Sequence, residues 1–209
     1  MDGAEVNWVG RVKIALGVAR ALAHIHEVGK VPHGNIRSSN VLLDKDGNAR
    51  LGDSFLTRLI KPSLVVSRLA GYRAPEANNK EALGFITHQG DIYSFGVLLL
   101  EIITGKAPAQ FLRDDGVDLP KWVQSVMKEG STDQVFDDEL AHYKKNIKNQ
   151  MFSLLQIAMA CASLSPSERP KMSQVVKVME DMVRPDHHMP SVSDPCSALE
   201  RAGNSSHVM

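Results

Sequence analysis

Asn40 and Asp53 place two oxygen donors at the ends of one short stretch of chain. Between them, the apolar runs Val41-Leu42-Leu43 and Ala49-Arg50-Leu51 flank Asp44-Lys45-Asp46-Gly47-Asn48, whose Asp-Gly pair favours a hairpin turn. A hairpin brings its own ends together, so the Asn40 carboxamide and the Asp53 carboxylate are expected to lie close in space. A pair of this kind can hold Mg²⁺ through one or two protein oxygens and leave its other positions to water and phosphate. Asn and Asp also flank strands for turn reasons alone, so the pair means little without its neighbours.

The elements that must position this pair are mostly helical. Trp8, Val12, Ala15, Ala19 and Leu22 recur at helical spacing, with Lys13, Gly17, Arg20, His24 and Glu27 on the opposite face. This predicts an amphipathic helix over 8–27, capped by Asn7 and ended by Gly29, and residues 32–40 then read as a loop. Residues 91–104 are too long and too apolar for a typical strand and predict a buried helix, with Gly105 at its C-cap. Pro120 and Gly130 bracket a helix over 121–129, and Met151, Leu155, Ala158 and Ala162 mark another. After Pro170, the stripe Met172, Val175, Val176, Met179 and Met182 reads as core rather than as a methionine-rich binding surface. Residues 57–73 show neither period and read as a long loop, and no internal repeat occurs.

Composition narrows the function classes. With 209 residues, 43% hydrophobic and 23% charged, the chain is globular rather than disordered throughout or a coiled coil. Its 24 Lys and Arg balance 24 Asp and Glu, so no net field draws it to nucleic acid or to an anionic membrane. Cys161 and Cys196 make neither a disulfide framework nor a zinc motif, which fits a reducing compartment. The longest apolar run, 95–100, stops at Glu101, and the acidic start Met1-Asp2-Gly3-Ala4-Glu5 is no signal peptide. His24, His26 and His33 do not add up to a zinc site, and the sequon at Asn204 carries no meaning in a reducing compartment.

The spacing of the neighbours gives the pair its context. His33-Gly34-Asn35 is followed by Asn40, then by Asp53, then by Gly71-Tyr72-Arg73-Ala74-Pro75-Glu76. This resembles a protein kinase, whose catalytic-loop His-Arg-Asp, following Asn, Asp-Phe-Gly and Ala-Pro-Glu fall on those positions in order. Asp91-Ile92-Tyr93-Ser94-Phe95-Gly96 is similar to the start of the family's buried helix, and Arg169-Pro170 to the arginine that pairs with the Ala-Pro-Glu carboxylate, here Glu76. The wording around 33–43 and 93–101 is similar to plant leucine-rich-repeat receptor-like kinases.

The resemblance implies site residues, and several of them depart from the family pattern. Asn35 stands at the base position, where a neutral amide cannot accept the substrate hydroxyl proton, a role worth about 10²–10⁴-fold in rate. Gly34 replaces the arginine that would recognise a phosphorylated activation loop. Arg37 replaces the usual lysine and keeps its charge. At Asp53-Ser54-Phe55 the metal-binding Asp survives, but Ser54 takes an apolar slot and Phe55 the place of a flexible glycine. Glu76, Asp91 and Arg169 read as structural. No Gly-x-Gly occurs in the chain, so the Gly-rich loop that covers ATP phosphates has no counterpart here.

The resulting expectation is a mainly α fold: a protein-kinase-like large lobe over 1–183 with a small β-hairpin and no small lobe, then a disordered tail over 184–209, as a truncated gene product or part of a gene would give. The expected site residues are Asn35, Arg37, Asn40 and Asp53, with Asn40 and Asp53 as the Mg²⁺ and ATP ligands, and binding weak or absent. The expected function is that of a catalytically inactive pseudokinase that binds protein partners in signalling, another kinase or a small lobe in trans, through an apolar patch around 41–43 and the first helix. Neither nucleic acid nor membrane is expected as a partner, and the expected location is cytoplasmic; the resemblance adds that family members are plasma-membrane receptors with the kinase domain on the cytosolic face. Two rivals remain: part of an active Ser/Thr kinase whose small lobe lies elsewhere, and a helical interaction module without phosphate chemistry.

Overall fold

Residues 6–54, 71–78, 86–111, 117–143 and 145–184 are described in the computed structural model. Asn7 lies in extended backbone and its Oδ1 accepts the Gly10 N–H at 2.9 Å, which starts α1 (Trp8–Glu27). The chain continues through a 3₁₀ turn, Ser38–Asn40, into the antiparallel pair β1 (Val41–Leu43) and β2 (Ala49–Leu51), with Val41 opposite Leu51 and Leu43 opposite Ala49. Five helices follow among the described residues: α2 (His88–Thr104), the one-turn α3 (Pro108–Phe111), α4 (Leu119–Lys128), α5 (Lys145–Cys161) and α6 (Met172–Val183). The expectation of a mainly helical fold with one small β-hairpin is therefore met.

Helix α2 is the centre of the core, and its residues from Asp91 to Leu100 are all buried. Each fully buried Leu or Phe along it contributes roughly 1.5–3 kcal/mol before chain entropy is subtracted. Gly96 lets α2 and α5 approach closely, since a Cβ there would lie 2.7 Å from the Ala162 backbone nitrogen and 2.8 Å from the Ala158 carbonyl oxygen. Gly105 caps α2 in the left-handed conformation, as its place after the apolar run suggests.

Two helix starts differ from the sequence expectation for one reason. α2 begins three residues before Asp91 because Thr87 Oγ1 accepts the Gly90 N–H, and α4 begins at Leu119 because Asp118 Oδ1 accepts the Lys121 N–H. Apolar content marks where a helix is buried, whereas the polar cap before it sets where it begins.

Helix α1 supports the hairpin. It packs against α6 on one side and β2 on the other, with Gly17 close under Ala49, and Lys13 Nζ donates to the Asp46 carbonyl at 2.7 Å. All five expected stripe residues are buried, and Leu16, Val18 and Ala23 join them. The exposed apolar patch is thus smaller than anticipated: Leu42 and Leu43 stand out at 59% and 48% exposure, but neighbouring elements cover the α1 stripe. Phe55, most of the 57–73 loop and the 184–209 tail beyond Arg184 lie outside the described residues.

Candidate functional site

One carboxylate holds the loop between α1 and the hairpin. Asp91 is 3% exposed, its Oδ2 accepts the His33 N–H at 2.6 Å and its Oδ1 the Gly34 N–H at 2.7 Å. His26, on the last turn of α1, closes the arrangement with Nε2 2.9 Å from Asp91 Oδ2. Backbone donors that would otherwise be buried without partners are satisfied at one point, which fixes the loop to the core helix. Gly34 holds φ at 76°, a conformation glycine adopts without strain.

The histidine of this loop then ties it to the hairpin. The Asn35 N–H donates to His33 Nδ1 at 3.2 Å, so the other ring nitrogen carries the proton and donates to the Gly52 carbonyl at 3.0 Å. Burial lowers the His33 pKa below its ordinary 6.5, although the charges of Asp91 and Asp53 work the other way. The neutral ring that the geometry requires is therefore also the one that burial favours.

The structure brings Asn35, Asn40 and Asp53 to one end of the hairpin. Asn40, 6% exposed, donates from Nδ2 to the Asn35 carbonyl at 2.8 Å, and its own carbonyl accepts the Gly52 N–H at 2.8 Å. Asp53 follows immediately, exposed and at φ 59°, one of two non-glycine residues with positive φ among those described, beside Lys30. Asn35 is 3% exposed, and its Oδ1 is buried with no hydrogen-bond partner. Arg37 precedes the 3₁₀ turn in extended backbone, half-buried, and Ser54 is half-buried.

The donor set fits Mg²⁺. With its Nδ2 committed to Asn35, Asn40 keeps Oδ1 for a cation, and the exposed Asp53 follows Gly52, whose N–H donates to the Asn40 carbonyl. The two would hold Mg²⁺ and, through it, the phosphates of a nucleotide. Asn35 beside them offers an amide oxygen, which accepts a hydrogen bond but does not take up a proton at neutral pH.

Two further contacts fix residues 71–78 to the core. Arg169, whose side chain is fully buried, donates from Nη1 and Nη2 to Glu76 at 2.6 and 2.8 Å, the ion pair that the sequence order implied. Burial pushes the Glu76 carboxyl up, but the Arg169 hydrogen bonds and charge outweigh it and leave the pKa below its ordinary value. The Tyr72 hydroxyl donates to Glu101 Oε2, and Ser38 Oγ donates to Glu101 Oε1 at 3.1 Å. Burial raises the Glu101 pKa, against the two hydrogen bonds that stabilise its ionised form.

Sequence reasoning missed His26, Ser38, Tyr72 and Glu101 as parts of this framework. Glu101 did carry a signal, since a charge that interrupts an apolar run must find partners. His26 carried none, because its partner lies on another helix. Among the described residues no cluster of His, Cys, Asp or Glu could hold a metal ion by itself, and Cys161 is buried, its thiol pushed up to about 12.

Comparison with known proteins agrees with this geometry. A family model described as protein tyrosine and serine/threonine kinase matches residues 2–179. The chain is 45% identical over 196 residues to the leucine-rich repeat receptor-like protein kinase PXC1 of Arabidopsis thaliana, covering 85% of this chain and 29% of that one. It is 43% identical over 201 residues to a probable inactive receptor kinase of the same plant, covering 94% and 31%. Among solved structures, the pseudokinase domain of BIR2, an immune regulator of the RLK/Pelle family, superposes with a TM-score of 0.71 at 33% identity, over 85% of this chain and 53% of that one. The maize SIRK1 kinase domain bound to AMP-PNP superposes with a TM-score of 0.73 at 31% identity, over 83% and 59%. The chain thus spans under a third of these two curated relatives and rather more than half of the two solved domains.

Proposed function

The chain belongs to the protein tyrosine and serine/threonine kinase family, among the plant leucine-rich-repeat receptor-like kinases, and on that premise we propose that it is a catalytically impaired member acting by binding in receptor signalling. In this reading, residues 1–183 are the large lobe of the kinase domain. The observation that carries the reading is Asn35: a buried neutral amide with an unpartnered oxygen occupies the place of the general base. Mg²⁺ and ATP, if held, meet the chain through Asn40 and Asp53, with Arg37 supplying positive charge nearby. Binding of nucleotide by this chain is weak or absent, because the Gly-rich loop and lysine that grip ATP phosphates in the family have no counterpart in its sequence.

Protein partners, another kinase or a small lobe supplied in trans, would meet the exposed Leu42 and Leu43. No helix among the described residues is long and apolar enough to cross a membrane. The proposed location is the cytosolic face of the plasma membrane, where receptor-like kinases carry their kinase domains.

A second reading has its own support. The hairpin end keeps Asn40 and Asp53 close along the chain's two strands, as an enzyme that holds Mg²⁺ between them would need. Assay of the 209-residue chain with Mg-ATP and a generic Ser/Thr substrate separates the two. The expected result is no phosphotransfer, and turnover that disappears in Asp53→Ala would overturn the inactive reading.

A further inference from the structure

Well away from the hairpin, α4, α5 and the start of α6 enclose an open cavity of about 950 Å³, within the range of about 300–1,000 Å³ usual for ligand sites. None of Asn35, Arg37, Asn40 or Asp53 lines it. Its lining includes Tyr93 and Arg169, the guanidinium 5.0 Å from the ring centre, and that arginine is committed to Glu76. The walls offer two kinds of contact. Met127, Met159 and Leu164 give an adaptable apolar lining, and Leu164 is 65% exposed. Gln124 and Gln156 present exposed amides, each able to donate to and accept from an extended main chain.

The charges decide what fits. Asp118 pairs with Lys121 at 3.3 Å and Arg169 with Glu76, so both cations of the lining are spent. Among the described residues Glu168 has no cationic partner, and its Oε2 accepts only the Ser163 hydroxyl, at 2.8 Å. We infer that this cavity docks an extended peptide segment of a partner protein, one that sets a cationic side chain against Glu168 and an aliphatic side chain among Met127, Met159 and Leu164. An anionic segment would meet an uncompensated carboxylate, and a wholly apolar one would cover Glu168 without pairing it. The inference rests on no part of the kinase chemistry and holds whether or not the chain binds nucleotide.

The test is a titration of the 209-residue chain, labelled with ¹³C at its methionine methyls, with the peptide acetyl-Leu-Arg-Leu-amide. The Met127 and Met159 signals should shift saturably with a dissociation constant in the millimolar range, while those of Met151, Met179 and Met182, buried in the core, stay still. Glu168→Gln should weaken binding about two- to fivefold, the size of an exposed ion pair, and Leu164→Asp, at an exposed position, should abolish it without unfolding the chain. Acetyl-Leu-Glu-Leu-amide should not saturate. The inference fails if Met127 and Met159 do not respond up to about 10 mM, if the core methionines move with them, or if the acidic peptide or Glu168→Gln binds equally well.

Discussion

The loop root and the hairpin end lie a few residues apart yet differ in almost every physical respect. At the root, Asp91 takes two backbone N–H groups and His26, each at 2.6–2.9 Å, in a nearly water-free setting. At the hairpin end, Asn35 keeps an oxygen without a partner, Asp53 stands in solvent in left-handed backbone, and Leu42 and Leu43 face outward. The first region satisfies its polar groups within the chain, whereas the second leaves Asn35 Oδ1 unpaired and Leu42 and Leu43 exposed. Bonds that hold the lobe together are needed whether or not phosphate is transferred, so the root serves the fold under either reading of the function.

The sharpest way to break this contrast is to remove its anchor. Asp91→Ala leaves the His33 and Gly34 N–H groups and His26 without their acceptor, and urea unfolding should show a loss of about 3–5 kcal/mol, near the whole margin of a small domain. A loss under about 1 kcal/mol would mean that water reaches the root and that the contrast in burial is unreal. Next comes Glu76→Ala, which strands the buried Arg169 but is tempered by the partial exposure of Glu76, at 34%. A loss of about 1–3 kcal/mol is expected, with faster amide exchange at Ala74 and Ala77 before the core of α2 is affected.

A smaller effect follows from proton linkage at His33. Its pKa in the folded chain lies below the ordinary 6.5, so between those two values the unfolded chain binds more protons. Its contribution to stability is therefore full above pH 6.5 and is lost as pH falls below 6.5 toward the folded value. His33→Gln keeps a side-chain donor for Gly52 and should flatten the acid slope of stability relative to the parent chain; equal slopes would show that the ring is not held neutral. The smallest effects belong to the hairpin end. Leu42→Ser and Asp53→Ala should each change stability by no more than about 0.5 kcal/mol. A Leu42→Ser loss well above that would show the residue already covered in solution, by a second copy or by chain outside the described residues.

Much of this architecture was legible in the residues themselves. The buried stripe of α1, the hairpin, the apolar run of α2 with its glycine cap and the methionine stripe of α6 follow from periods and turn chemistry, which are local properties of the chain. The kinase-like order also implied the Glu76–Arg169 pair, with 92 residues between its members, while the hairpin reading by itself implied the neighbouring placement of Asn40 and Asp53. The boundaries of α2 and α4 were less legible, because a cap side chain decides them and apolar content does not.

What only the tertiary structure decided is which polar groups end up with partners. Sequence placed His26 on a helix, Ser38 in a loop and Glu101 inside an apolar run, but the Asp91 and Tyr72 contacts join elements that meet only after the helices pack. It placed Asn35 at the base position without revealing that its oxygen is buried and unanswered. It kept Val41–Leu43 and the first helix together as one exposed patch, which packing divided by covering the stripe from Trp8 to Leu22 and leaving Val9, Leu42 and Leu43 out. Periodicity records which face of an element is apolar, whereas burial and hydrogen-bond satisfaction depend on what a second element brings against it, and that is fixed by the packing of the whole lobe.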